Sequence, residues 1–345
     1  MIDGIKKKIN QELLKLGQNL GREYHFQQIS PLLSGIIKDY ILRDGKRARP
    51  ILLVIGYLGF AKSIRPGLFR CALSAELLHD FMLIHDDIID KSDTRRGLPS
   101  MHCLLNNHLR RFKNLKFNGQ DLAIIVGDIL YALAIDAFLA IKEEPRRKEM
   151  ALKKFIEAAS FTGSGEFIEL IYGAKDISRI KKADIYKIYN YKTAFYTFAC
   201  PLSIGAILAG ANERQISLIT QFGLDLGTAF QIKDDILGIF SEEQLTGKSQ
   251  LADLQEAKKT ILIWYAYNHA ASPEKKVIHE ILSKKKIARI DLIKMRRIII
   301  DTGALRFAKH EINYLLKQAQ EIINSSNIKP RYKKFLADYS RQIIS

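Results

Sequence analysis

Two aspartate doublets, Asp86-Asp87 and Asp234-Asp235, each stand at the end of an apolar run. The first lies in LLHDFMLIHDDIIDKSDTRRG and the second in FGLDLGTAFQIKDDILGIF. On a helix, residues three and four apart share a face, so Asp86 and Asp90 point the same way. Carboxylates crowded on one face repel one another unless a cation lies between them. Hard oxygen donors in an incomplete cage suit Mg²⁺, which keeps waters and binds phosphate oxygens beside one or two carboxylates. Two such clusters, brought opposite by folding, would make a pocket for a diphosphate and its magnesium. A helix dipole disfavours carboxylates at the C-terminal end, so three of them there invite an explanation. Arg95 and Arg96 follow directly and can grip phosphate oxygens through charge-assisted hydrogen bonds. A charged surface turn is the plain alternative. Glu76 and His79 on the preceding apolar stretch, with RRG at this spacing, favour a site.

Further cations sit where an anion would need them. In Gly45-Lys46-Arg47-Ala48-Arg49-Pro50, Pro50 can open a helix, which collects Lys46, Arg47 and Arg49 at an anion-binding N-terminus. Of these, Lys46 and Arg49 with His79 would form a second phosphate clamp, distinct from the magnesium one. Lys192-Thr193 lies in the aromatic stretch IYNYKTAFYTFACPL, where a buried lysine is costly without an anionic partner. Snorkelling to the surface is the other reading of that lysine. The second doublet follows Phe230-Gln231, with Lys233 beside it. Downstream come Gly247-Lys248, then Asp253, Glu256, Lys258, Lys259 and Thr260.

The elements that must carry these groups read as helices. Apolar spacing of three and four recurs along the 345 residues, while strand-like alternation is scarce. Gly and Pro mark off segments of helix length, and the spacing predicts an all-α, single-domain antiparallel bundle over residues 1–345. The motif-bearing part runs from about 45 to 260, followed by a basic helical part over 273–345. Arg110–Gln120 reads as a basic loop or a short helix. Apolar residues make up 47% of the chain and charged residues 26%, ordinary values for a globular protein. Cys71, Cys103 and Cys200 lack metal or disulfide spacing, which fits a reducing compartment. No signal peptide is legible at the N-terminus, so a cytoplasmic location is expected. The span Leu122–Ile141 resembles a membrane segment, but it carries Asp128 and Asp136 at mid-depth, each costing about 2.5–3.5 kcal/mol there. A core helix without membrane crossing is the expectation.

The net charge of +17 raises nucleic acid as a partner. Its location argues against one. Between Pro273 and Ser345 stand seventeen Lys and Arg against seven Asp and Glu, and apolar Ile281, Leu292, Ile293, Ile299 and Ile300 recur among them. A solvated helix face explains this pattern, with weak association to a membrane surface as the next reading.

In order, GKRARP, LLHDFMLIHDDIIDKSDTRRGLP, GDILYALA, YKTA, GTAFQIKDDILGIF and GKSQLADLQEAKKT resemble the trans-isoprenyl diphosphate synthases, across about Gly45 to Thr260. The resemblance implies a helical bundle around a deep central cavity, a homodimer, and an enzyme that joins isopentenyl diphosphate to an allylic diphosphate. It implies Mg²⁺, three ions with the bound diphosphate. Asp86, Asp90 and Asp234 would be metal ligands, and Asp87 and Asp235 would complete the catalytic motifs. Lys46, Arg49, His79 and Arg96 would take isopentenyl diphosphate. Arg95, Lys192, Thr193, Gln231, Lys248 and Lys258 would take the allylic diphosphate. One departure stands out: Gly238 occupies the place where many members carry a third Asp.

The same resemblance makes the helix before DDIID the wall of the product cavity. At about 1.5 Å per residue, Phe81 lies about 7.5 Å below the metal end, with Met82 beside it. A bulky ring there implies a short product, geranylgeranyl diphosphate first, farnesyl or longer products next. A class I terpene cyclase would not need GKRARP with His79 and Arg96. A non-catalytic partner subunit would be expected to lose motif residues that are present here.

Overall fold

A computed structural model describes residues 1–95, 97–241 and 251–344. The chain is all-α, as its periodicity predicts; the strands among the described residues are the two-residue pair β1 (Thr94–Arg95) and β2 (Leu98–Pro99). Contacts gather the chain into two compact units, Met1–Leu152 with Ile204–Gly210, and Lys153–Ser203 with Ala211–Ser345.

The first unit contains α1 (Ile2–Glu23), α2 (Phe26–Ile29), α3 (Pro31–Leu42), α4 (Ala48–Phe60), α5 (Leu68–Ile89), α6 (Met101–Leu109) and α7 (Gly119–Leu139). Helix α5 packs against α1, α4 and α7. From Cys71 to Asp80 every residue of α5 is buried, the mark of a helix enclosed on all sides. From Phe81 onward it emerges, and Asp86 and Asp90 lie on this half-exposed end. Helix α7 is the membrane-like span. Its start is fixed by a capping box between Asn118 and Asp121, and it packs on α5 and α6. It is the one described helix long and apolar enough to cross a membrane, yet Asp136 near its end accepts from Tyr24 and Arg70 of this unit. The segment between α6 and α7 is a loop, which settles the ambiguous basic stretch.

Helix α8 (Pro145–Ala174) belongs to both units. The second unit continues with α9 (Lys182–Ile188), a π-helix over Tyr189–Ala199, and α10 (Cys200–Leu208), whose end returns to the first unit. Then come α11 (Glu213–Phe240), α12 (Ala252–Gln255), α13 (Ile261–His269), α14 (Ser272–Leu282), α15 (Arg289–Asp301), α16 (Ala304–Ser325) and α17 (Pro330–Ile344). Helix α11, capped by the Asn212 side chain, packs on the π-helix and on α16. The wide turns have a local cause: Pro201 lacks an N–H and its ring crowds the carbonyl four residues back, so the preceding turns open and Cys200 N bonds Phe195 O. The basic C-terminal part forms helices that each bury one face. In α15, Leu292 and Ile299 join the core, whereas Ile293 and Ile300 of the same apolar series face outward.

Candidate active site

The emergent end of α5 carries the first acidic motif. Asp90 N donates to the backbone oxygen of Asp86 at 2.8 Å, so the two side chains rise one turn apart. Their carboxylate oxygens lie within 4.8 Å of each other. Asp87, one residue round the helix, is fully buried. Arg95 folds back from β1 to meet it: Nε donates to Asp87 Oδ1 at 2.8 Å, Nη2 donates to the same oxygen, and Nη2 reaches Asp86 Oδ2 at 3.2 Å. Burial alone would lower the Arg95 pKa, but the hydrogen bond and charge of Asp87, then Asp86, outweigh it and raise the value. The turn is pinned at both ends, by Ser92 N to Asp87 O and Ser100 N to Asp93 O, each at 2.9 Å.

Five residues before Asp86 on α5, the Phe81 ring meets His85 at 4.7 Å and Tyr131 of α7 at 5.2 Å. Phe81 and Met82 are half-buried. In GKRARP the three cations part ways. Arg47 is buried, pairs with Glu76 at 2.7 Å, and donates to Arg43 O at 2.6 Å. It ties the start of α4 to α5, because a buried guanidinium needs such a partner. Lys46 is exposed, Arg49 is half-buried in the first turn of α4, and His79 is buried on α5.

In the second unit, Asp234 is exposed and Asp235 buried. Gln231 Nε2 donates to Asp235 Oδ1 at 3.0 Å, and Tyr189 OH donates to Oδ2. Gln231 Oε1 accepts from Thr193 Oγ1 at 2.7 Å, while Tyr189 OH accepts from Ile261 N at 2.9 Å. One relay thus runs from the π-helix through α11 to an otherwise unpaired N–H in the first turn of α13. Burial pushes the Asp235 carboxyl well above its ordinary value, against the pull of the Tyr189 bond. The Tyr189 hydroxyl is also driven up, first by burial and then by the Asp235 charge.

Lys192 has the anionic partners that its aromatic setting demands. Glu166 and Glu169 of α8 both bind its Nζ. The helices approach closely because residue 165 is glycine: a Cβ there would lie 2.5 Å from Lys192 N. A Cβ on Gly238 would lie 2.2 Å from Asp253 Oδ2. The carboxylate of Asp253, from α12, therefore fills the space beside α11 that a longer side chain at 238 would enter. Lys258 Nζ lies 2.8 Å from Glu256 and 3.6 Å from Asp253.

The model of the family described as polyprenyl synthetase matches residues 30–298. The chain belongs to that family. It is 30% identical over 336 residues to a geranylgeranyl diphosphate synthase of Sulfolobus acidocaldarius, covering 92% of this chain and 97% of that protein. It is 32% identical to a geranylfarnesyl diphosphate synthase of Aeropyrum pernix, covering 87% and 89%. The fold is that of a Corynebacterium glutamicum geranylgeranyl pyrophosphate synthase, solved with isoprenyl diphosphate and magnesium. Its TM-score is 0.89 at 24% identity, covering 100% of this chain and 99% of that one.

This polyprenyl synthetase is a short-chain trans-prenyltransferase. Its first unit carries Asp86, Asp87, Asp90 and Arg95 together, and its second unit brings Thr193, Gln231 and Asp235 into one relay. Arg96 and Lys248, expected in the two diphosphate sites, lie outside the described residues. Hard carboxylate oxygens one turn apart, as at Asp86 and Asp90, form a donor set that fits magnesium. Sequence reasoning did not single out Tyr131, Glu166, Glu169 or Tyr189. For the two glutamates a signal existed, since a lysine among aromatics requires carboxylates nearby. For the tyrosines there was none, because either ring reads as ordinary core.

Proposed function

We propose that this enzyme condenses isopentenyl diphosphate with an allylic diphosphate to give C20 geranylgeranyl diphosphate. The observation that carries the proposal is the half-exposed Asp86 and Asp90 pair, ending a helix in which every residue from Cys71 to Asp80 is buried. In this reading Asp86, Asp90 and Asp234 hold magnesium, three ions with the bound diphosphate, and Asp253 contributes the carboxylate that Gly238 lacks. Bound magnesium would neutralise charge on the departing diphosphate. Arg95, Lys192, Thr193, Gln231, Lys248 and Lys258 orient the allylic diphosphate, and their fixed donors stabilise the leaving group as its carbon–oxygen bond breaks. Lys46, Arg49, His79 and Arg96 hold the isopentenyl diphosphate so that its double bond reaches the allylic carbon. The new carbon–carbon bond forms, and the adjacent proton leaves to the released diphosphate. Apolar walls keep water from the cationic carbon. Phe81, with Met82 beside it and Tyr131 behind its ring, closes the product cavity.

A second copy of the chain is the proposed partner, covering Ile124 and Ile125, which α7 leaves exposed, and the cytoplasm is the proposed location. The deciding experiment is incubation with isopentenyl and farnesyl diphosphates plus Mg²⁺, followed by product chromatography. A single C20 product is expected. No elongation of any primer would sink the assignment, whereas longer products would sink only the chain-length part.

A further inference from the structure

Helix α15 is held in one rotational setting. Leu292, Met295, Ile298 and Ile299 are buried, and Arg296 Nε donates to Ile239 O of α11 at 2.6 Å. That setting turns Ile290, Ile293 and Ile300 outward, with 55%, 53% and 55% of their surface exposed. Spacings of three and seven put the three isoleucines on one face. Exposed Arg289, Lys294 and Arg297 share it, and exposed Lys285 and Lys286 precede the helix. Of the neighbouring acids, Asp291 is buried against Lys284 and Asp301 lies 3.4 Å from Arg297. The outward face is therefore aliphatic within a basic frame.

We propose that this face seats the protein on an anionic lipid surface. The isoleucines would enter the headgroup layer, while Lys285, Lys286, Arg289, Lys294 and Arg297 meet acidic headgroups. Single exposed apolar residues need no explanation, but three on one helical face among five cations do. Single-stranded nucleic acid is disfavoured because stacking on bases needs flat aromatic rings, and this face has none; a duplex backbone would leave the three isoleucines against phosphate and water. A second copy is disfavoured because it would bring like charge against like charge. Each basic side chain near such a surface contributes about fivefold to partitioning. The docking is independent of the substrate assignment, and it is read without turnover.

The test is co-sedimentation of the full chain with phosphatidylcholine vesicles and with vesicles that also contain phosphatidylglycerol. Binding is expected only on the anionic vesicles and should fall as salt is raised. The combined variant Ile290→Ser, Ile293→Ser, Ile300→Ser should weaken it about tenfold, and Lys285→Glu, Lys286→Glu, Arg289→Glu by more than about tenfold. Both variants should keep wild-type helicity and turnover. Equal binding to the two vesicle types, no binding to either, or unchanged binding by either variant would overturn the proposal. So would tighter binding to a single-stranded oligonucleotide than to the anionic vesicles. The loop between α6 and α7 is the competing surface, exposing Phe112, Leu115 and Phe117 among Arg110, Arg111, Lys113 and Lys116. Loss of all binding in Phe112→Ser, Phe117→Ser, with the α15 variants unaffected, would move the docking site there.

Discussion

Asp87 and Asp235 are the second members of identical doublets, and both turn inward, yet they meet opposite chemistry. Asp87 is neutralised by a cation, the Arg95 guanidinium, which also touches Asp86. Asp235 meets neutral donors, Tyr189 and Gln231, and its carboxyl is driven upward by burial. The partners of the first doublet come from a hairpin a few residues on. Those of the second come from its own helix and from the π-helix. At the fourth position after each doublet's first Asp the contrast continues: Asp90 stands on α5 itself, while Gly238 leaves room for Asp253 from another helix. The same two letters are thus held by a local ion pair in one unit and by a dispersed hydrogen-bond relay in the other.

The largest effect should fall on the outward aspartates. Asp86→Asn is expected to cut kcat by about 100-fold or more, as should chelation of divalent metal by EDTA, with Mg²⁺ restoring only the wild type. Retained turnover in either case would remove the first motif from the chemistry. The inward aspartates should separate next, by stability. Asp87→Asn leaves the half-buried Arg95 guanidinium with only its longer contact to Asp86 and should cost about 3 kcal/mol in urea unfolding. Asp235→Asn exchanges one acceptor for a donor facing Gln231 and should cost about 1 kcal/mol, as should Tyr189→Phe. Equal losses for Asp87→Asn and Asp235→Asn would erase the distinction between the doublets.

At the fourth position, Gly238→Asp should lower turnover about tenfold, because its Cβ would collide with the Asp253 carboxylate. Adding Asp253→Gly should recover part of the loss; no recovery would deny the exchange of roles. The mildest change concerns product length. Phe81→Ala should shift products beyond C20 with little loss of rate, and Tyr131→Ala should do so less. Unchanged chromatograms for Phe81→Ala would refute the ring as the cavity floor.

Much of this arrangement was legible in the residues. The three-and-four spacing predicts the helices, and the carboxylate and cation clusters mark the motif-bearing ends. A lysine among aromatics at 192 announces acidic company, which Glu166 and Glu169 supply. Other features were not legible. By spacing Arg47 joins Lys46 and Arg49 at one helix start, and its burial against Glu76 is not written in that spacing. Ile293 and Ile300 read as core beside Leu292 and Ile299, because an apolar run alone does not say which side of a helix is covered.

By itself the sequence determined the chemistry available: oxygen donors one turn apart, cations enough to meet two diphosphates, and helices to carry them. Helical geometry turns adjacent residues by about 100°, so it also required the two aspartates of each doublet to diverge. Which of them would face inward, and whether Arg95 or Tyr189 would receive it, was decided by tertiary packing. The rotational setting of a helix is fixed by its most favourable buried face, a sum over contacts with chain segments distant in sequence, and no local pattern contains that sum.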